Sequence, residues 1–462
     1  MSWSDPSWKT AARDYVGEVR VRRNSPPLVP RSPPRSGEAE GGPKLEDFHA
    51  YMPTHNYIYE PTREMWPASS VNSRIAPIAD PNEEKPIPAN QWLDRHRPVE
   101  QMTWAPGLPT LIEGELISDG GWIRHSGARV FNLYRPSVLT PGDAEQAGPW
   151  LDHLRRVYPE DVGHITNWLA QRVQRPEIKI NHALVLGGKQ GVGKDSLLEP
   201  VKHAVGPWNC SEVSPQQMLG RFNGFVKSVI LRVSEARDLG DVDRFAFYDH
   251  TKVYTAAPPD VIRVDEKHLR EHSVFNCTGL VITTNHKADG IYLPDDDRRH
   301  YVAWTELTKE DFDPDYFPGL WAWYQAGGLG HVAAYLRTLD ITGFDPKAPP
   351  PKTRAFWDIV AANRAPESGD LADALDVIGN PQAVTSEQIL SAATPEFAEF
   401  LRDKKNRRQI PHRFEEADYV PVRNQDAKDG LWKIRGRRCA VYAKRELSLR
   451  DQIQAARNLG GG

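Results

Sequence analysis

The stretch Gly188-Lys189-Gln190-Gly191-Val192-Gly193-Lys194-Asp195 constrains this chain more than any other. It follows the apolar run Ala183 to Leu186 and precedes a helix-like run, Ser196 to Val205. A strand, a glycine-rich loop, a lysine and a helix in that order meet the needs of a triphosphate. The glycines let backbone N–H groups approach the phosphates, the helix N-terminus adds its dipole, and Lys194 reaches the β- and γ-oxygens. ATP with Mg2+ is the expected ligand. A Ser or Thr normally follows the lysine and ligates magnesium. Here Asp195 stands in that place, with Ser196 one position later. A carboxylate is also a hard-oxygen ligand for magnesium. The site therefore reads as altered rather than dead, and whether Asp195 or Ser196 holds the metal stays open.

Two more apolar runs end in polar residues. Val229 to Val233 leads into Ser234-Glu235. A carboxylate there suits a group that orients magnesium and polarises the attacking water. The usual Asp-Glu pair is Ser-Glu here, so Glu235 carries the general-base role alone. Gly279 to Thr284 ends in Asn285, whose amide can hold the lytic water or sense the γ-phosphate; a plain turn is the bland alternative. Asp295-Asp296-Asp297-Arg298-Arg299 follows. Arg298 or Arg299, offered from a neighbouring subunit, would stabilise charge on the transferred phosphoryl group. The alternation of apolar strands with polar or helical pieces predicts an α/β fold with a parallel sheet.

These elements, in this order and compact span, resemble superfamily 3 helicases, ring-forming AAA+ ATPases of viruses, phages and plasmids. The likeness is nearest to the helicase domains of phage and prophage primase-helicase proteins. It is specific over about Phe131 to Trp304 and suggestive over Pro411 to Lys444. The resemblance implies a homo-hexameric ring moving on single-stranded DNA, in the cytoplasm of a bacterial host. It also implies a hairpin between the Glu235 and Asn285 strands that carries cations to the strand. The matching stretch is Val261 to Phe275, with Lys267 and His268 at its tip, Arg263 on an arm and Lys252 nearby; a solvated charged loop is the alternative. In that family a polymerising domain often precedes the ATPase. Residues 1–130 are short for one and Asp241-Val242-Asp243 lies inside the ATPase, so no primase activity is expected. A separate primase or polymerase is a possible partner.

The net charge of −4 announces no global affinity for nucleic acid. From Leu401 to Arg450, however, 15 Lys/Arg face 7 Asp/Glu. Helices expected at Thr385 to Ala392, with Ser386 as cap, and at Pro395 to Arg408 precede strand-like Tyr419–Arg423, Leu431–Arg435 and Arg437–Lys444. Helices followed by a basic hairpin predict a winged-helix-like domain. Arg408 and Arg413 would face a groove of DNA, with a duplex origin as one candidate target, and Lys433, Arg435, Arg437 and Arg438 would lie on the wing. A solvated basic face is the alternative.

The expected layout is a disordered tail over 1–44, rich in Pro, Ser and Gly, and a small, irregular accessory region over 45–136 with short strands at Thr110 to Ile117 and Trp122 to Leu133. A helical segment over 137–178 follows, read as either core packing or an oligomerisation collar. The ATPase domain spans 179–344, a proline-rich linker 345–352 and the basic domain 353–462. Cys210, Cys277 and Cys439 lack metal-ligand spacing and fit a reduced cytosolic protein. No apolar run approaches a membrane span. Two rival functions remain: an ATP-switched DNA-binding initiator or regulator that does not unwind, and a small-molecule kinase.

Overall fold

The computed structural model describes residues 42–138, 142–234, 244–267, 269–287, 291–362, 366–403, 406 and 410–460. The chain divides into two units, one up to Val360 and one from Ala361. Most of the tail expected to be disordered, Asp241-Val242-Asp243, and three candidate site residues (Glu235, His268 and Arg408) lie outside the described residues.

Residues 45–136 hold more regular structure than their weak periodicity predicts. Strands β1 (Phe48–Tyr51), β2 (Asn56–Tyr59) and β3 (Glu64–Pro67) pair antiparallel, and β4 (Pro98–Val99) adds parallel to β1. A second sheet joins β5 (Gln101–Thr103), β6 (Leu111–Ser118) and β7 (Gly121–Asn132) in the order β5-β7-β6. The strands expected at Thr110–Ile117 and Trp122–Leu133 are β6 and β7 within a few residues, whereas β1 to β5, of two to four residues each, leave only one or two inward positions, too few for alternation to show in the sequence. The helices Gly148–Val157 and Val162–Gln174 follow. Their tryptophans, Trp150 and Trp168, are fully buried in the main core. Each indole N–H also finds a carbonyl: Trp150 donates to Leu197 at 3.0 Å and Trp168 to His182 at 3.2 Å. The segment packs its apolar face on its own unit.

The main sheet joins β8 (Ala183–Gly188), β9 (Cys210–Val213), β10 (Ile230–Val233), β13 (Gly279–Thr284) and β14 (His300–Thr305). The order is β14-β8-β13-β10-β9 and every pair is parallel. Helices cover both faces of such a sheet, which is why β8 and β13 read as unbroken apolar runs, buried at every position. The glycines ending β8 have a packing reason. A Cβ on Gly187 would sit 1.9 Å from the ring of Trp304 on the neighbouring strand. Between β10 and β13 the chain makes an antiparallel hairpin, β11 (Val261–Val264) with β12 (His272–Phe275).

The second unit has its own core, where Phe414 and Tyr442 stack at 3.8 Å beside Leu371, Ile389 and Phe397. Its sheet orders β15 (Ala383–Thr385), β19 (Val441–Lys444) and β16 (Tyr419–Val422), all antiparallel; β17 (Trp432–Ile434) and β18 (Arg437–Cys439) form a separate hairpin. Two expectations are corrected here. The cap of the helix Ser386–Leu390 is Thr385, whose hydroxyl accepts from the Gln388 N–H, and not Ser386. The run Arg437–Lys444 is not one strand but two, in different sheets, divided at Ala440.

Candidate functional site

In open parallel sheets, ligands bind outside the carboxyl ends of the strands where the chain reverses its winding. Here the chain runs outward from β8 to β9, returns through β10 and β13, and crosses β8 to reach β14. A cleft of about 410 Å³ opens at that place, between the glycine loop, β10 and β13.

The loop turns through left-handed backbone at Gly191 and Gly193, with φ of +87° and +85°. Gly193 is also crowded: a Cβ would lie 2.5 Å from both His153 Nε2 and Phe317 Cε1. His153 is buried on the helix Gly148–Val157 and donates from Nε2 to the Gly193 carbonyl at 3.1 Å, while Nδ1 accepts from the Tyr316 hydroxyl at 3.0 Å. Burial lowers its pKa, with Arg156 adding to the fall, so the ring is neutral and braces the loop.

Lys194 opens the helix Lys194–Val205. Its Nζ donates to the carbonyls of Gly188 at 2.6 Å and Lys189 at 2.9 Å, and to Asn285 Oδ1 at 2.8 Å. Burial pulls its pKa down to about 8; Asp195 opposes the fall and Arg232 adds to it. Lys194 and Asn285, read separately in the sequence, thus meet in one cleft. The helix is anchored at an unusual point. Pro200 lacks the N–H that would pair with the carbonyl of Ser196, and the Tyr324 hydroxyl donates to that carbonyl instead, at 2.8 Å.

Asp195 and Ser196 both line the cleft. The Asp195 carboxylate accepts from Nη2 of Arg232, a side chain on β10 that sequence reasoning passed over. Arg232 also donates to Thr283 Oγ1 at 3.3 Å. A cation inside an otherwise apolar strand was the signal available. Phe317 and the 40 % exposed Trp321 form a further wall. Trp321 reads from sequence as a packing residue, and Phe317 and His153 carry no sequence signal.

Beyond β10 the described chain runs on to Ser234, one residue short of Glu235. Arg298 is exposed and Arg299 half-buried on the loop before β14. Asp297 pins that loop, accepting from the Arg299 and His300 N–H groups and from Tyr248 at 2.8 Å. Burial works to raise its carboxyl, yet His300 and these donors hold it at about 2.

On the β11–β12 hairpin the charges are sorted. Asp265 pairs with Arg221 at 2.7 Å and Glu266 with Lys227. Arg263 makes a two-pronged pair with Asp119, beyond the end of β6, at 2.8 and 3.3 Å. Thr103 on β5 donates to the Ser273 carbonyl at 2.9 Å and Trp122 packs on Phe275, so the accessory sheet braces the hairpin. Lys267 at the tip is exposed. Lys252 lies on the helix Arg244–Thr255, paired with Asp249 over the ring of Tyr248.

In the second unit, Lys433 and Arg435 are exposed, while Arg437 pairs with Glu387 at 2.9 Å and Arg438 with Asp429 at 2.9 Å. Arg413 is mostly buried and pairs with Glu416 at 3.1 Å.

The residues present fit a phosphate chain with magnesium. Lys194 and Arg232 supply two cations, and the crowded glycines leave backbone beside the cleft. Magnesium needs only one or two protein oxygens when phosphate supplies others, and Asp195 and Ser196 both line that space. No helix among the described residues is long and apolar enough to cross a membrane.

A mixed α/β fold with a five-stranded parallel sheet, carrying a glycine-rich loop and lysine at the carboxyl end of β8, is the class that this geometry defines. A family of unknown function (DUF5906) matches residues 186–299, from the end of β8 through Arg299. Among solved structures, the apo structure of the NrS-1 C-terminal region is similar over 86% of this chain and 95% of that one, at 15% identity and a TM-score of 0.58. A second, the A form apo structure of the same region, covers 86% and 96% at 14% identity and a TM-score of 0.56. These likenesses concern the fold alone. A JCV helicase bound to a small molecule overlaps 51% of this chain and 66% of that one at 11% identity, with a TM-score of 0.30 too low to argue from. No curated protein matches the sequence.

Proposed function

We propose that this protein is an ATP-dependent DNA helicase acting in replication, working as a homo-hexameric ring on single-stranded DNA. The observation that carries the reading is the triple contact of Lys194 with two loop carbonyls and Asn285 in a cation-lined cleft. A bound triphosphate replaces the carbonyls as acceptor for Lys194, and Asn285 is then placed beside the terminal phosphate. Asp195 or Ser196 would hold a magnesium ion, which would neutralise charge on the phosphates. Glu235 is assigned the general base, and Arg298 or Arg299 of an adjoining subunit the cation that meets the developing charge. Lys267 contacts the DNA backbone, with His268 beside it. Arg263, balanced by Asp119, serves first to hold the hairpin. The second unit is read as winged-helix-like, with Lys433 and Arg435 as its exposed DNA contacts.

A strand-displacement assay run beside ATP turnover tests this. Lys194→Ala and Glu235→Gln abolish both activities, while Lys267→Ala spares turnover and loses unwinding. Normal unwinding by Lys267→Ala removes the hairpin from the mechanism. The exposed cations of the compact second unit favour one rival, an ATP-switched DNA-binding initiator. ATP-dependent DNA binding by wild-type protein without displacement would establish that rival.

A further inference from the structure

The charges around Asp195 do not close. Arg232 Nη2 is bound to the Asp195 carboxylate and lies 3.3 Å from Thr283 Oγ1. Its Nη1 reaches only the exposed Glu212, at 3.8 Å, and its Nε is buried without a partner among the described residues. A half-satisfied guanidinium on a core strand is costly unless something else completes it. Asp195 also occupies the position at which a metal ligand is expected. One carboxylate cannot serve a divalent cation and a guanidinium fully at once, since the two cations repel. A metal–nucleotide that engages Asp195 therefore frees Arg232, and the acceptors arriving in the cleft are phosphate oxygens. Guanidinium binds these in forked geometry more readily than ammonium does.

We propose that Arg232 is a phosphate-binding cation supplied by the same subunit, exchanging its ion pair with Asp195 for the terminal phosphate of a magnesium–nucleoside triphosphate. The inference rests on the nucleotide reading above. Arg232 adjoins Thr283, two residues before Asn285, and Asn285 meets Lys194; the lysine and the arginine thus bracket the outer end of the phosphate chain. The exchange makes Arg232 a discriminator between triphosphate and diphosphate, independent of any residue from a neighbouring subunit.

Equilibrium titration with fluorescent ADP and a fluorescent non-hydrolysable ATP analogue, in magnesium and in EDTA, tests this on the full chain. Arg232→Gln is expected to weaken the triphosphate about tenfold or more and the diphosphate by less than about twofold. Arg232→Lys, which keeps a charge without the fork, falls between. In EDTA the metal role of Asp195 is silent, so Asp195→Asn simply releases Arg232. Triphosphate binding then tightens several-fold, and the gain vanishes in the Asp195→Asn/Arg232→Gln double variant. Equal losses for both nucleotides, no loss in Arg232→Gln, or no gain in Asp195→Asn overturns the exchange while leaving the nucleotide site standing. Wild-type protein that binds neither nucleotide overturns the site and the exchange together.

Discussion

At the scale of single residues, the cleft depends on positions that tolerate no ordinary side chain. Gly193 combines a left-handed φ of +85° with a Cβ position 2.5 Å from His153 and Phe317. Gly193→Ala is expected to cost about 2 kcal/mol or more through strain and overpacking, read as a lowered unfolding midpoint. It should also displace the loop and abolish nucleotide binding, measured by the same titration as above. Gly187→Ala drives a methyl into the ring of Trp304 and should destabilise as strongly, although Gly187 does not line the cleft. The place of Lys194 at the glycine loop was legible from its neighbours in the sequence. That of His153 was not, because a histidine beside a tryptophan on an amphipathic helix looks like any buried core residue. Only the folded contact with the Gly193 carbonyl, 40 positions away, gives it a role.

At the scale of elements, the helix that starts at Lys194 carries a proline in its middle and survives because Tyr324 satisfies the carbonyl left open. Tyr324→Phe leaves the buried carbonyl of Ser196 without a donor. A loss of about 1–3 kcal/mol in chemical denaturation is expected; an unchanged midpoint would mean that another group already satisfies it. The β11–β12 hairpin is a second case. Its two acidic tip-side residues are tied to Arg221 and Lys227, while Lys267 and Arg270 are exposed. Lys267→Ala should lower the dependence of single-stranded DNA affinity on salt by about 0.7 in the log–log slope, the share of one phosphate contact. The hairpin was expected from the family resemblance, with alternation from Val261 through Arg263 marking its first arm. The bracing by the accessory sheet was not, since the Asp119–Arg263 pair joins residues far apart in the chain and no local pattern announces it.

At the scale of the whole molecule, the apolar runs that form β8, β10 and β13 announced themselves, because a parallel sheet covered on both faces is built from such runs, while β9 and β14 did not. In the accessory region β6 and β7 were legible, but the two- to four-residue strands β1 to β5 and the division of Arg437–Lys444 between two sheets were not, because such brief strands are specified by partners elsewhere in the chain. The main unit also buries several histidines in neutral form. Burial lowers the pKa of His164 to about 4, of His182 to about 3 and of His272 to about 4. Each binds a proton more readily unfolded, near pH 6.5, than folded. Their contribution is therefore complete above pH 6.5 and is lost as pH falls through the interval toward 4. Stability should drop by a few kcal/mol, on the order expected for such groups, measured as the denaturation midpoint against pH. A midpoint flat from pH 7 to 4.5 would contradict it. The central claim, that nucleotide is consumed between adjoining subunits which move DNA, is tested most directly by ATP turnover per subunit across a range of protein concentrations, with and without a single-stranded oligonucleotide. The account predicts turnover that rises as subunits assemble and rises again with the oligonucleotide. A monomer hydrolysing ATP at full rate, indifferent to the oligonucleotide, would contradict it.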